Sequence, residues 1–196
     1  MVPSLSKFEM EKTISDKYKY FEKRIVGIML ARYDISLIRE VIEESYYYWH
    51  KNSSDRFDLF WPGYGEYFGN GATSNTIIEA RWNNNGIYFD LDSFIEFKNS
   101  LNRIKGFKYK DKFELILVNY YNGELHYDEY LRIDLEKNID DNYSTIRSLL
   151  ETITNDCYLY SNVSEFHKKL IRDDIVGKIK GITLSDVIYV AINKLT

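Results

Sequence analysis

The chain has 196 residues, a formal net charge of −4, and 44% hydrophobic and 29% charged residues. These values suit one domain that removes about 70% of its unfolded surface on folding and is short for two. The acidic balance argues against a general polyanion binder, which sets excess Lys and Arg against phosphate, and the single cysteine, Cys157, excludes an intramolecular disulfide and any Cys-x-x-Cys redox or zinc motif.

No signal-like apolar stretch opens the sequence and no run approaches about 18 apolar residues, so the expectation is a soluble, cytoplasmic protein that does not engage a membrane. Aromatic residues make up 16% of the chain, and 18 residues are tyrosines. Tyrosine pairs a large apolar body with a polar tip and suits both a core and a contact surface. Ile, Asn, Lys, Tyr and Phe are also favoured by AT-rich codons, which accounts for part of the bias and hints at a bacterial or phage source.

In chain order, Ser6 to Glu22 reads as an amphipathic helix through Phe8, Ile14, Tyr18 and Phe21, and Arg24 to Ala31 as a buried strand. Asp34 or Ser36 caps a helix whose Leu37, Ile38, Val41, Ile42, Ser45 and Trp49 share a face. Arg56 to Trp61 reads as a strand stopped by Pro62-Gly63, since proline cannot continue a ladder. An aromatic, glycine-rich loop follows to Gly71. Thr76 to Trp82 and Ile87 to Asp90 flank a turn ending in Asn85-Gly86 and form a hairpin. Leu91, Phe94, Ile95, Leu101 and Ile104 mark a helix capped by Asp90 or Asp92. Lys112 to Tyr121 and Glu124 to Leu135, joined by Asn122-Gly123, form a second hairpin. Ile146, Leu149, Leu150 and Ile153 make a helix face, and Asn162 with Glu165, then Thr183 with Asp186, are capping signatures for two closing helices.

This order implies an α/β or α+β domain: one mixed sheet of about five to seven strands covered by helices. With the middle hairpin set aside, it resembles a thioredoxin-like core carrying an inserted hairpin and C-terminal helices. Started at the helix after Asp34, it resembles the core of restriction-type nucleases instead. Fold likeness does not transfer function.

The chemistry follows the residues. The segment Trp61 to Phe68 keeps its large aromatics while using glycine for backbone freedom, which marks an ordered surface rather than a linker. Trp61, Tyr64, Glu66, Tyr67 and Phe68 are therefore the candidate binding residues, with Tyr64 and Tyr67 expected to be partly exposed. The competing reading folds the same rings back as a packed loop. Gly63, Gly65, Gly69 and Gly71 match neither a dinucleotide nor a P-loop fingerprint.

Asp58, Glu79 and Arg81, with Glu43 or Glu44 nearby, imitate a metal-dependent phosphodiesterase set, but the usual lysine is replaced and the spacing is loose. His50, His126 and His167 share no ligand spacing, so no metal and no cofactor are implied. Cys157 reads as a structural thiol. The basic run from Lys98 to Lys112, interleaved with Phe107 and Tyr109, could hold single-stranded nucleic acid, but it faces an acidic stretch across the hairpin, and intramolecular pairing or ordinary solvated faces are the better readings. Glu129 interrupts an apolar strand register, which would make it a site candidate if it faced the core, and a β-bulge or an exposed strand end is the simpler explanation.

The leading expectation is a non-catalytic binding protein, of the kind represented by immunity or bacterial defence accessory proteins, whose partner is another protein. A metal-dependent nuclease-like phosphodiesterase is the alternative. A small-molecule sensor comes third.

Overall fold

A computed structural model describes residues 2–19, 23–43, 57–67, 76–80, 86–104, 107–109, 112–138, 143–173, 175 and 181–186. Nine strands form one mixed sheet: β1 (Val2–Ser4), β2 (Lys23–Leu30), β3 (Leu59–Pro62), β4 (Tyr64–Tyr67), β5 (Thr76–Ala80), β6 (Gly86–Phe89), β7 (Glu114–Tyr121), β8 (Glu124–Asp134) and β9 (Ile182–Asp186). Their order across the sheet is β5-β6-β4-β1-β3-β2-β7-β8-β9. The helices are α1 (Lys7–Tyr18), α2 (helical over 36–43), α3 (Leu91–Asn102), α4 (Tyr143–Asp156) and α5 (Val163–Arg172).

The centre of the sheet is its most apolar part. β2 and β7 pair antiparallel from Lys23↔Tyr121 to Leu30↔Glu114, and both are buried on successive residues, so both faces are covered. Adjacent residues of β7 identify the covers. Tyr120 lies against Tyr18 of α1 with ring centroids 5.6 Å apart, while the side chain of Asn119 accepts a hydrogen bond from Val163 N at the start of α5 (2.8 Å). Neighbouring strand residues point to opposite faces, so α1 and α5 lie on opposite sides of the sheet. Leu117, fully buried in the same strand, belongs to the continuous core.

Local chemistry sets the element ends. Ser6, Asp90 and Asn162 cap α1, α3 and α5 by accepting from the backbone N–H three residues on, at 3.1, 2.8 and 2.9 Å. Asn122 (φ 54°) and Gly123 (φ 85°) form the two-residue turn between β7 and β8 that their sequence predicts. Beyond it the register shifts: Val118 pairs with Tyr130 but Asn119 with His126, and the extra residues of β8 turn Glu129 toward Asn119, whose Nδ2 donates to its Oε2 at 3.2 Å. Glu129 is thus the product of a bulge.

Several expectations are corrected. Among the described residues the sheet has nine strands, not five to seven. Thr183 to Asp186 does not open a helix; it lies in β9, paired antiparallel with β8 from Ile133↔Ile182 to Glu129↔Asp186. A capping pattern is local and weak, and strand pairing with alternate Ile182 and Leu184 packed on the core outweighs it. Phe8 is 75% exposed, because the buried stripe of α1 is Met10, Ile14 and Tyr18. Leu37, Leu91 and Ile95 likewise lie at the exposed margins of their helices.

The segment after Pro62 is the largest departure. In place of a loop the chain makes a one-residue turn at Gly63 (φ 78°) and returns as β4, with β1 held between β3 and β4. β1 runs parallel to β3 (Val2↔Phe60, Ser4↔Pro62) and antiparallel to β4 (Ser4↔Tyr64), and Gly63 N donates to Ser4 O at 2.9 Å. Any side chain at Gly63 would need the left-handed conformation and would meet Phe94 Cβ at 2.6 Å.

β1 is the only described strand that joins β5-β6-β4 to β3-β2-β7-β8-β9. Deleting residues 2–4 should therefore abolish amide exchange protection in β4 and β6 while leaving the centre of β7 the best protected region. Equal loss of protection in β6 and β7, or none in either, would contradict this two-part reading of the sheet.

Candidate functional site

Of the five residues singled out for binding, the four that are described do not form one surface. Trp61 and Tyr64 are fully buried, Tyr67 is 9% exposed, Glu66 is exposed on β4, and Phe68 lies outside the described residues. The expected exposure of Tyr64 and Tyr67 is thus corrected. The physical reason is a chain of ring contacts: Trp61 packs edge-on to Tyr64 (5.3 Å), Tyr64 on Phe89 (5.1 Å), Phe89 on Phe94 (6.0 Å) and Phe94 on Tyr109 (6.0 Å). Each such pair contributes about 0.5–1.5 kcal/mol beyond the area it buries. The polar tip of Tyr64 is satisfied inside, its hydroxyl donating to Ala31 O at 2.8 Å. Gly65 belongs to the same packing, because Tyr88 lies across it and a Cβ there would meet that ring at 2.4 Å.

What remains accessible is the outer side of this region. Val2, Pro3 and Leu5 from the N-terminal segment, Glu9 from α1 and the Tyr64–Glu66 stretch of β4 line an open groove of about 330 Å³. Val2, Pro3 and Leu5 give it apolar side chains, and Glu9 and Glu66 give it two carboxylates. Phe8, 75% exposed on the same first turn of α1, is a large apolar side chain outside the groove's lining. Apart from Tyr64 and Glu66, none of these residues was picked out by sequence reasoning. The signal was present: at 100° per residue Phe8 is out of phase with Met10, Ile14 and Tyr18 and has to face outward.

Among the described residues of the alternative catalytic set, Asp58 and Glu79 lie apart. Asp58 is 1% exposed, with Oδ1 2.7 Å from Lys17 Nζ and Oδ2 accepting from the Tyr18 hydroxyl at 2.5 Å. Both partners belong to the last turn of α1, so this carboxylate anchors the helix to the sheet. Glu79 is on β5, four strands from β3 in the sheet order, roughly 19 Å away by inter-strand spacing. Arg81 lies outside the described residues, as does Glu44. Glu43 accepts from the Tyr33 hydroxyl at 2.6 Å.

Other titratable groups are held in structure. Burial pushes the Cys157 thiol well up, which removes thiolate character. His126 stacks on Tyr121, with Nε2 3.1 Å from Tyr121 O, and burial lowers the pKa of His167. His50 lies outside the described residues. Lys112 pairs with the largely buried Asp134 at 3.2 Å, as expected for intramolecular pairing of the basic run. Arg132 Nη1 is 3.6 Å from Glu114 Oε1 and its Nη2 donates to Lys108 O at 2.8 Å, with the guanidinium over the rings of Phe107 and Tyr130. Among the described residues, no three His, Cys, Asp or Glu side chains are grouped to hold a metal ion, and no helix is long and apolar enough to cross a membrane.

No family model, curated protein or solved structure matches this chain.

Two outcomes follow. Asp58→Ala should lower folding stability by about 2–4 kcal/mol, since the Tyr18 hydroxyl loses its buried acceptor while the half-exposed Lys17 rehydrates. Tyr64→Ala should cost about 3–5 kcal/mol through its cavity. Denaturant unfolding measures both, and a change under about 0.5 kcal/mol for either would show that its contacts do not hold the fold.

Tyrosine ionisation supplies a pH test. Burial, aided by the Glu43 carboxylate, pushes the pKa of Tyr33 up to about 12, and burial likewise raises Tyr18, Tyr64 and Tyr127. The unfolded chain releases these protons near pH 10. Their contribution to stability is therefore complete below about pH 10 and falls as pH rises through the folded values. A spectroscopic titration should show these phenols ionising above the exposed class, together with declining stability. Ionisation of every tyrosine near pH 10 in the folded protein would contradict it.

Proposed function

We propose that this chain is a non-catalytic binding protein of the cytoplasm, acting as immunity and bacterial defence accessory proteins do, and that its partner is another protein docked at the β1–β4–α1 groove. The observation that carries this reading is the open groove lined by Val2, Pro3 and Leu5 and edged by Glu9 and Glu66, on a helix whose first turn also exposes Phe8. Exposed aromatics are enriched at interface anchors. The partner segment that fits is apolar with flanking Lys or Arg, so that its cations meet the two carboxylates at the rim. Tyr64, backed by Trp61, then lines the groove, Tyr67 packs on Tyr88, and Glu66 supplies the direct contact.

A thioredoxin-like order is our reading of the central strands. It is supported by the neighbours β3-β2-β7-β8, the first pair parallel and the others antiparallel, with α2 leading from β2 to β3 and α3 preceding β7. The strands β4 to β6 are the insertion in this scheme. No redox role follows from it, because Cys157 is the single cysteine and is buried.

The test is the double variant Phe8→Asp with Glu66→Lys, both at exposed positions. Wild-type protein used as bait in an extract of its own cells should retain a partner whose affinity falls at least about thirtyfold in the double variant, equivalent to about 2 kcal/mol, with unchanged thermal stability. Undiminished binding would refute the groove. The nuclease alternative gains nothing from the separated Asp58 and Glu79. Purified protein with magnesium or manganese should leave DNA and RNA intact, and cleavage lost in Asp58→Asn would reinstate that alternative.

A further inference from the structure

We propose that a second depression, between α1 and the β7–β8 hairpin, binds a primary ammonium group carried on a short apolar or aromatic body. It has a volume of about 340 Å³ and is walled by Glu11, Ile14 and Ser15 of α1 and by Tyr120, Glu124 and Leu125 of the hairpin. Sites for small ligands run from about 300 to 1,000 Å³, so this one takes a compact monoamine.

The charge pattern selects a cation. Carboxylates stand on both walls, Glu11 from the helix and Glu124 from the strand, and no Lys or Arg belongs to the lining. Glu124 makes no ion pair among the described residues. Glu11 is paired with Lys7 one turn earlier, an arrangement exposed enough for a bound ammonium to share the carboxylate. A phosphate or carboxylate ligand would meet two like charges here. Arg24 stands opposite Tyr120 on β2, but its guanidinium is turned to the ring of Tyr18, 5.8 Å from the centroid.

The apolar part of the lining is Ile14, Leu125 and the edge of Tyr120. Tyr120, 2% exposed and packed on Tyr18, contributes a fixed ring edge to the lining rather than an open ring face. The protein already holds an ammonium next door, where Lys7 Nζ lies 5.5 Å from the ring centroid of Tyr127 while pairing with Glu11. An ammonium between a carboxylate and an aromatic face gains from both. The two walls are stiff. Glu124 follows directly on the tight turn at Asn122 and Gly123, and α1 is fixed at its end by Asp58. The ammonium belongs either to a free amine or to a lysine side chain of a peptide.

Tyramine is the probe, titrated into the full chain and followed by amide chemical shifts and calorimetry, beside uncharged 4-ethylphenol and Nα-acetyl-lysine methylamide. Shifts should centre on Ser15, Gly123 and Leu125, and tyramine should bind at least about tenfold more tightly than 4-ethylphenol. Glu124→Gln and Ser15→Arg, both at exposed positions, should each weaken tyramine about tenfold, whereas Glu66→Gln in the other groove leaves it unchanged. Tighter binding of the lysine derivative than of tyramine identifies a peptide as the source, and the reverse a free amine. Equal affinity for the uncharged phenol, no shifts at the named amides up to about 10 mM, or full affinity in Glu124→Gln would overturn the proposal.

Discussion

Three residues, Val2 to Ser4, hold the sheet in one piece. β1 provides the hydrogen-bonded contact among described strands between β3 and β4, whose only covalent link is Gly63. A one-residue turn cannot let β3 and β4 pair with each other while a third strand lies between them, so insertion of β1 and the left-handed Gly63 require one another. The arrangement also fixes function-bearing geometry. Val2 and Pro3 line the groove, and the chain continues through Leu5 into α1, so the groove exists only where β1 is seated.

Around that joint the fold relies on rings and one buried carboxylate. The path Trp61–Tyr64–Phe89–Phe94–Tyr109 crosses from β3 through β4 and β6 to α3 and beyond, adding ring contacts to the β4–β6 ladder and carrying them on to the helix. Asp58 performs the corresponding task for α1, binding Lys17 and Tyr18 at the end of the helix remote from β1. A buried carboxylate with two partners is costly to disrupt even where forming the pair contributes little net stability. Its near-complete burial makes it a fixture of the fold rather than a group poised for chemistry.

How far the sequence could be read depended on the length scale of each signal. β2, β7, the Asn122-Gly123 turn and the caps at Asp90 and Asn162 were legible because periodicity, turn chemistry and capping act within a few residues. β1 was not, since three residues carry no period. β9 was mistaken for a helix start because Thr183 and Asp186 satisfy a local rule that pairing with β8 outweighs. The aromatic segment misled in an instructive way: Pro62-Gly63 correctly marked a break, but whether the rings after it face water depends on Phe89 and Phe94, which are distant in sequence. The dispersal of Asp58 and Glu79 was equally invisible, since strand order is a property of the whole sheet.

α1 is the element on which both proposed sites converge. Glu9 faces the groove and Glu11 the depression beside the hairpin, two residues apart and about 200° around the helix axis. The helix is tied at one end through Ser6 and β1 and at the other through Asp58. A wall fixed at both ends needs little ordering when a ligand arrives, so a larger share of the contact energy appears as affinity. The same rigidity limits communication, because a ligand shifts an equilibrium only by binding two states differently, and a helix pinned at both ends offers one. Occupation of one site should therefore leave the other unaltered unless β1 itself leaves the sheet, the single rearrangement that would reshape the groove and release the first turn of α1 together.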